Sequence, residues 1–506
     1  MQVHTQFVQC GERRVFVRHA GQGPAVVLLH QSPQNSRSML ALMARLAPQH
    51  AVFAPDSPGF GFSDPLALAQ PTIPDLAQAV LRWLDALGLE RVLLYGVHTG
   101  AVVAARLALE RPDRVAALVC DGLALFNADE RRGLLDGYLP PFEPAWDGSH
   151  LLWLWARLRE QNFFFPWQMK SASHRLPFAM PTPDKLHADV LDVLDAGDGY
   201  RAGYRAPFLY EQGAATAAAL RVPARLFYRD SDVLAPHITR LVGLPASVQA
   251  ATVSVDDLHP QTQAFFAAHA QAAASVVAST AVAQAASRSR RVVPTPQGDI
   301  ALRLHTGVPR ELEVVLPEIG TAAALVQPGV GTCGRAVIDL PGHGASSGWQ
   351  DTGLSADSVA AAIAQGCEVA NPEAERIHIL AYGASATFGA ALALQLGARC
   401  AGMTVSDALP ALSPPDAARL LAGLPSTTPD AQGSQLLAAW NWARQRALFL
   451  PWAASDVAAV AHSAAPSPWR LHADVVEMLR AGVLLPALWR AALASTSLHS
   501  TPDDAA

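Results

Sequence analysis

Apolar and polar positions in the first 130 residues switch repeatedly between two periods. Arg14–His19 and Ala25–His30 read as strands, and the second is a continuous apolar run of the kind a parallel sheet buries on both faces. A helical stretch, Ser36–Leu46, leads to a strand at Ala51–Asp56. The helix Ile73–Leu87 then feeds the strand Arg91–Tyr95, and the helix Ala101–Glu110 feeds the strand Arg114–Cys120. Strands and helices alternating across short turns predict a parallel sheet covered by helices. From Asn127 to Glu211 the strand patterns vanish and Trp, Phe, Leu, Pro and Arg crowd together, which predicts inserted amphipathic helices. The alternation then resumes with a strand at Arg225–Tyr228, a helix at Pro236–Leu244, a strand at Ala251–Val255 and a closing helix at Pro260–Val277. The Ala/Ser-rich run ending at Arg291 reads as a helix tail and linker.

The chain then repeats itself. Gly148-Ser149-His150-Leu151-Leu152 with Pro166-Trp167 returns as Gly433-Ser434-Gln435-Leu436-Leu437 with Pro451-Trp452. Lys185-Leu186-His187-Ala188-Asp189-Val190 returns in the same register as Arg470-Leu471-His472-Ala473-Asp474-Val475, and Tyr204-Arg205-Ala206 as Trp489-Arg490-Ala491. Agreement over such a span without a gap predicts an internal duplication. The second copy has no counterpart of the Arg225–Val277 segment.

Composition narrows the function classes. Hydrophobic residues make up 51% and charged residues 16% of the 506, enough apolar material for a sizeable core. The formal charge is −6 with no long run of either sign, so the clustered basic face that nucleic acid needs is not expected. Cys10, Cys120, Cys333, Cys367 and Cys400 are scattered and odd in number, which reads as reduced thiols rather than a disulfide or zinc framework. With no apolar signal core in Met1–Arg14 and no uninterrupted apolar span, the expectation is a cytoplasmic protein with no membrane partner.

Candidate chemistry falls at strand ends. Tyr95-Gly96-Val97-His98-Thr99-Gly100 sits at a strand-to-helix junction, where flanking glycines permit a sharp turn that projects the central side chain over the sheet. Asp56-Ser57-Pro58-Gly59-Phe60-Gly61-Phe62-Ser63 closes an earlier strand. His30-Gln31-Ser32-Pro33 closes the one before, where a backbone amide could help to form an oxyanion hole. Asp230 and Asp232 follow a later strand, and His259 follows the last one, ahead of Pro260.

In these motifs and their order, elbow then acid then histidine, the sequence resembles the α/β-hydrolase superfamily. The resemblance covers residues 13–275 well and 291–500 in degenerate form. It implies an α/β fold with a mostly parallel sheet, a helical cap and a truncated second copy with its own cap. The expected boundaries are 1–128 and 218–283 for the core, 129–217 for the cap, 284–292 for a linker, 293–412 for the second core and 413–506 for the second cap-like region. It also implies that Asp232, with Asp230 as rival, orients His259 as general base or acid. His30, Gln31, Ser32 and Thr99 are expected around the oxyanion hole and pocket. In the cap, Trp155, Arg157, Phe164 and Trp167 are candidates for the substrate cleft, with Arg157 or Arg159 available to a carboxylate.

His98 departs from the family, which places Ser, Asp or Cys at this turn. Four readings stay open: a covalent nucleophile, a base acting with His259, a metal ligand with His30, His259 and Asp232 (which no spacing supports), or the mark of a core that binds without catalysing. In the second copy the elbow reads Tyr382-Gly383-Ala384-Ser385-Ala386-Thr387, with a serine but no partner base, and Ser385 is expected to be a relic. The resemblance implies an enzyme that hydrolyses an ester, thioester or C–C bond in a small apolar or aromatic substrate. A lyase or cofactor-independent oxygenase reaction and a catalytically degenerate binding or scaffold protein are the alternatives. No nucleotide-binding fingerprint is present and no cofactor is expected. The second copy is expected to pack on the first, and homo-oligomers are open.

Overall fold

The structure, a computed structural model, describes residues 2–326, 333–409, 412–449, 457–460 and 464–494. The chain divides into two compact units. The first comprises Met1–Glu143 and Leu154–Ser287, the second Pro144–Trp153 and Arg288–Ala506. The division falls inside the span read as a linker, and Pro144–Trp153 is taken out of the span read as the first cap.

The first unit is built on a nine-stranded sheet. Its strands are β1 (His4–Cys10), β2 (Arg13–Ala20), β3 (Gln22–Leu29), β4 (Ala51–Pro55), β5 (Val92–Val97), β6 (Val115–Asp121), β7 (Ala224–Arg229), β8 (Val248–Val253) and β9 (Ser275–Val277). They lie in the order β1-β2-β4-β3-β5-β6-β7-β8, with β9 added antiparallel to β3. Pairs from β4 through β8 are parallel, while β1 with β2 and β2 with β4 are antiparallel. Alternate strand residues feed two cores. Val27, Leu29 and Leu94 pack under the helices Ile73–Ala86 and Thr99–Glu110, and Val26, Leu28 and Leu93 under Leu40–Leu46 and Val255–His269. Because both faces are covered, these strands read as continuous apolar runs. The inserted region forms helices, including Ala128–Leu135, Pro183–Ala196 and Tyr200–Leu209.

Several elements differ from the expectation. Pro236–Leu244 is a short 3₁₀ turn, Ala235–Arg240, and Ser275–Val277 is a strand rather than a helix end. The closing helix starts at Val255, not Pro260. Ser254 caps it, accepting from the Asp257 amide at 3.1 Å, and Asp256 and Asp257 complement the positive end of the helix.

The second unit carries a six-stranded sheet of β10 (Arg290–Val293), β11 (Ile300–His305), β12 (Val308–Leu316), β13 (Cys333–Asp339), β14 (Arg376–Tyr382) and β15 (Cys400–Ser406). Their order, β10-β11-β13-β12-β14-β15, reproduces that of the first six strands of the first unit. A buried fixture is repeated as well. Asp56 lies near Arg18 and accepts from the Phe62 amide, while Ser63 caps the Phe16 amide. In the second unit Asp339 lies near Arg303 and accepts from the Ala345 amide, while Ser346 caps the Ala301 amide. Pro451-Trp452, part of the sequence repeat, lies outside the described residues. Among the described residues no helix is long and apolar enough to cross a membrane.

Candidate active site

The chain turns sharply at the end of β5. His98, the first residue past the strand, has φ 47° and ψ −109°, a conformation that costs a non-glycine residue about 1–3 kcal/mol and persists only where the surroundings enforce it. Two contacts hold it: the His98 amide donates to Asp121 O at 2.9 Å, and the Val102 amide donates to His98 O at 3.1 Å. The turn also needs glycine on both sides. A Cβ on Gly96 would lie 2.2 Å from Gly100 O, and one on Gly100 would lie 2.2 Å from Leu29 O.

The imidazole projects toward the ends of β6 and β7. His98 Nε2 lies 2.6 Å from Asp232 Oδ2. Asp232 is also held by the Leu234 amide at 2.8 Å and by Arg229 Nη2 at 3.1 Å. Arg229 Nε donates to Asp121 at 3.2 Å, and the Tyr95 hydroxyl donates to the other Asp121 oxygen at 2.9 Å. Burial acts to raise the Asp232 carboxyl, but the His98 ring, the Leu234 amide and the Arg229 guanidinium together hold it well below the usual carboxylate range. Asp232 is thus an anion whose acceptor sites are taken by three donors. Of these, His98 also lines a cavity, and its side chain is 28% exposed.

This pairing overturns the expected link between Asp232 and His259. His259 lies in the second turn of the helix that Ser254 caps, where burial lowers its pKa and Asp121, Arg45 and Arg229 are the charges around it. It does not line the cavity beside His98. The signal was legible, since Ser254-Val255-Asp256-Asp257 is a helix-start pattern that carries His259 into the helix. Asp230 donates its amide to Val253 O and has no part in the pair.

The cavity encloses about 200 Å³ and is lined by Gln31, Ser32, Gln34 and His98 from the core and by Tyr138, Phe165, Lys185, Asp189 and Tyr204, among others, from the inserted helices. Gln31 and Ser32 are placed there as expected. His30 is not: it is buried beneath the loop, with Nδ1 donating to Gln31 O at 2.9 Å and Nε2 accepting from the Ser57 amide at 2.8 Å, and it ties two strand ends together. Thr99 lines a separate small apolar pocket instead.

Of the inserted residues, Trp155, Arg157, Phe164 and Trp167 do not line the cavity. Arg157 is 2% exposed, with its guanidinium over the Trp167 and Tyr200 rings at 5.4 Å and 5.3 Å, so a substrate carboxylate cannot reach it. The Trp167 indole donates to Tyr138 O at 2.9 Å, and Phe164 packs against Arg175. These residues build the interior of the inserted region. Their aromatic neighbours Tyr138, Tyr204 and Phe165 face the cavity instead. Among the described residues no group of three or more His, Cys, Asp or Glu side chains could hold a metal ion.

Gly122 is the tightest constraint on the pair. Its φ is 69°, and a Cβ there would sit 2.6 Å from His98 Cδ2 and 2.8 Å from Nε2. Gly122→Ala is expected to push the ring off Asp232 and to lower any His98-dependent turnover about 100-fold, with a loss of about 1–2 kcal/mol in stability. Steady-state kinetics and denaturant melts check both.

The second unit answers the elbow differently. Leu29, the end of β3, pairs with Gly96, and Leu316, the end of β12, pairs with Ala381. On the other side Val97 pairs with Asp121, and Tyr382 with Ser406. The counterpart of His98 is therefore Gly383 (φ 53°), not Ser385. Ser385 stands in the register of Gly100, fully buried, with its hydroxyl donating to Pro317 O at 2.6 Å. The expected serine elbow is thus corrected to a glycine elbow.

The Glu318 carboxylate fills the space above that glycine, accepting from the Ile319 amide at 2.7 Å and the Ala384 amide at 3.2 Å. A Cβ on Gly383 would lie 1.5 Å from Glu318 Oε2. Burial raises the Glu318 carboxyl to about 7, against the pull of Arg446. The folded state thus keeps a proton that the unfolded chain loses near pH 4.5. This stabilising contribution is complete below about pH 4.5 and fades as pH rises through about 7, a change of about 3 kcal/mol. Denaturation of wild type and Glu318→Gln across this range should show the slope in the first and not in the second.

The α/β hydrolase fold family model matches residues 24–239. An uncharacterized hydrolase of Saccharomyces cerevisiae is 33% identical over 135 residues, 26% of this chain and 45% of that protein. A 2-hydroxy-6-oxo-6-phenylhexa-2,4-dienoate hydrolase of Burkholderia cepacia is 29% identical over 144 residues, 26% of this chain and 50% of that protein. An epoxide hydrolase of Siraitia grosvenorii is 34% identical over 110 residues, 21% of this chain and 34% of that protein. The chain thus spans half or less of the length of these relatives. The family match rests on the sheet that carries the His98 turn, and the first unit of this chain has the α/β-hydrolase fold.

Proposed function

We propose that the first unit is a hydrolase in which His98, oriented by Asp232, is the general base that delivers water to an ester-like or similarly activated carbonyl carbon. The observation that carries this reading is the 2.6 Å contact between His98 Nε2 and Asp232 Oδ2 at a strained turn beside the cavity. An Nε2–H donated to the carboxylate leaves the Nδ1 lone pair to accept a proton. Nδ1 takes a proton from water as the water oxygen bonds to the carbonyl carbon. The carbonyl π electrons move to oxygen, and collapse of that oxyanion expels the leaving group, which takes the proton back from Nδ1. The Thr99 and Ser32 amides, without acceptors among the described residues, are the proposed donors to the oxyanion. Their counterparts in the second unit donate to the Glu318 carboxyl oxygens, which supports a role in binding an acceptor oxygen. Water as nucleophile accords with the hydrolases among the relatives.

We further infer that the second unit is a truncated second copy, a reading supported by its strand order, the Asp339–Arg303–Ser346 fixture and the repeated motifs. With glycine at its elbow, the second unit has no side chain at the position that His98 holds in the first.

A panel of small activated esters tests the reading. His259→Ala should keep turnover within about threefold of wild type, while His98→Ala should lose it. Turnover that survives His98→Ala and disappears with His259→Ala would sink the proposal.

A further inference from the structure

We infer that the chain forms a two-fold dimer in solution, in which β15 of the second unit pairs antiparallel with β15 of a second copy. Strand order carries the first part of the argument. β15 ends its sheet and, among the described residues, pairs with β14 alone. Its counterpart in the first unit, β6, stands at the same place in the order but has β7 on its other side. Every residue of β6 is buried. None of β15 is: Cys400, Gly402, Met403 and Ser406 are half-buried, and Ala401, Thr404 and Val405 are exposed. A strand edge presents backbone N–H and C=O groups to any other strand, and proteins commonly blunt it with a charge or a proline. The seven residues of β15 include neither.

The sequence of that edge matches a second copy of itself. Antiparallel pairing about Met403 sets Ala401 opposite Val405, Gly402 opposite Thr404 and Cys400 opposite Ser406, each pair occurring twice. A small residue thus meets a β-branched one at both positions that flank the axis. Met403 lies against the helix Ala386–Leu396, where a Cβ on Gly389 would sit 2.8 Å from its Cε, and Ala401 and Val405 share its face of the sheet. Pairing therefore covers Val405, which is 39% exposed, on the helix side of the sheet. The ends set the orientation. Arg399 precedes the strand and the exposed Asp407 follows it, so the same register brings each beside the other from the second copy. Arg399 also holds Glu368 and the Ala374 carbonyl, but a guanidinium has five N–H donors, more than those contacts use. Unlike charges meet at both ends and like charges nowhere. Any strand could meet the backbone groups of this edge; a second copy also brings matched side chains and ends.

Light scattering on the full chain, at concentrations up to about 100 μM, tests the inference. The expected result is the mass of two chains. Val405→Lys sets a lysine opposite Ala401 in both symmetric pairs and should raise the dimer Kd about tenfold or more. A cysteine pair reads the register. On a Cys400→Ser background, Ala401→Cys with Val405→Cys should give disulfide-linked dimers under mild oxidation. Either cysteine alone should not, because it lies about 14 Å along the strand from its own copy. Linkage by the pair alone upholds the inference and decides it where Val405→Lys fails to fold. A monomer at every concentration overturns it, including a monomer whose β15 edge takes a strand from another protein. A dimer that Val405→Lys leaves intact and the cysteine pair fails to link overturns it as well.

Discussion

Replacing Asp232 by asparagine is expected to lower kcat for ester hydrolysis about 10³–10⁴-fold, and His98→Ala should do at least as much. Asparagine keeps the shape of the side chain but loses the charge that orders the imidazole. Its amide group can turn a donor toward His98 Nε2, and the ring must then present a lone pair to that amide rather than a proton. That tautomer places N–H on Nδ1, where the proposed base needs a lone pair. Two single losses should not multiply in the double variant, because the two side chains act as one unit. Stability should move as well. The Asp232 carboxyl is depressed in the folded state, so its contribution is complete above the unfolded carboxylate pKa near 4 and is lost as pH falls below it. Acid melts of wild type should show this loss, and melts of Asp232→Asn should not.

Replacing Asp339 by alanine should destabilise the second unit by about 3–5 kcal/mol, the largest structural effect expected at any single carboxylate of that unit. Its side chain is 1% exposed and faces Arg290 Nη2 at 3.3 Å and Arg303 Nε at 3.5 Å, while it accepts from the Ala345 amide at 3.0 Å. Alanine leaves two guanidinium groups and a buried amide without that acceptor. Burial works to raise this carboxyl, but the two arginines and the amide hold it below its ordinary value, so its stabilising contribution too is present above about pH 4 and lost in acid. Hydrogen exchange of the β11 and β13 amides measures the effect locally. Asp56→Ala should act in the same direction on the first unit, where Ser36 and Phe62 amides and Arg18 share the carboxylate. A loss below about 1 kcal/mol at both sites would contradict the account of this repeated fixture.

The core of the first unit was legible because burial on both faces writes itself into the chain as apolar runs. Val26–Leu29, Val52–Ala54 and Leu93–Tyr95 are all nearly inaccessible to solvent, and no polar residue interrupts them. The sharp turn at His98 was legible as well, since Gly96 and Gly100 are both required by backbone contacts of 2.2 Å. The short edge strands β1, β9 and β10 left no such mark. They are short or part-exposed, and their pairing with distant strands decides their state.

The site was only half legible. Motif order supplied His98, Asp232 and His259 as candidates, and the resemblance paired Asp232 with His259. A capped helix start a few residues ahead of His259 withdraws that residue, and the positive-φ turn, with Gly122 leaving room, delivers His98 to Asp232 instead. Register decided the second elbow in the same way, because one hydrogen-bonded pair, Leu316 with Ala381, places Gly383 and not Ser385 at the tip. Aromatic composition predicted an inserted helical layer, yet its face toward the cavity was set by packing. Arg157 was drawn inward over Trp167 and Tyr200, and Phe165 was turned outward.

Sequence by itself therefore determined the class of fold, the recurring motifs and the list of candidate reactive side chains, because periodicity, glycine requirements and recurrence are local or linear properties. Tertiary structure alone decided which acid partners which histidine, which elbow carries a side chain and which polar residues line the cavity. The first of these rests on a contact of 2.6 Å between residues 134 positions apart in the chain, and no local pattern encodes such a distance.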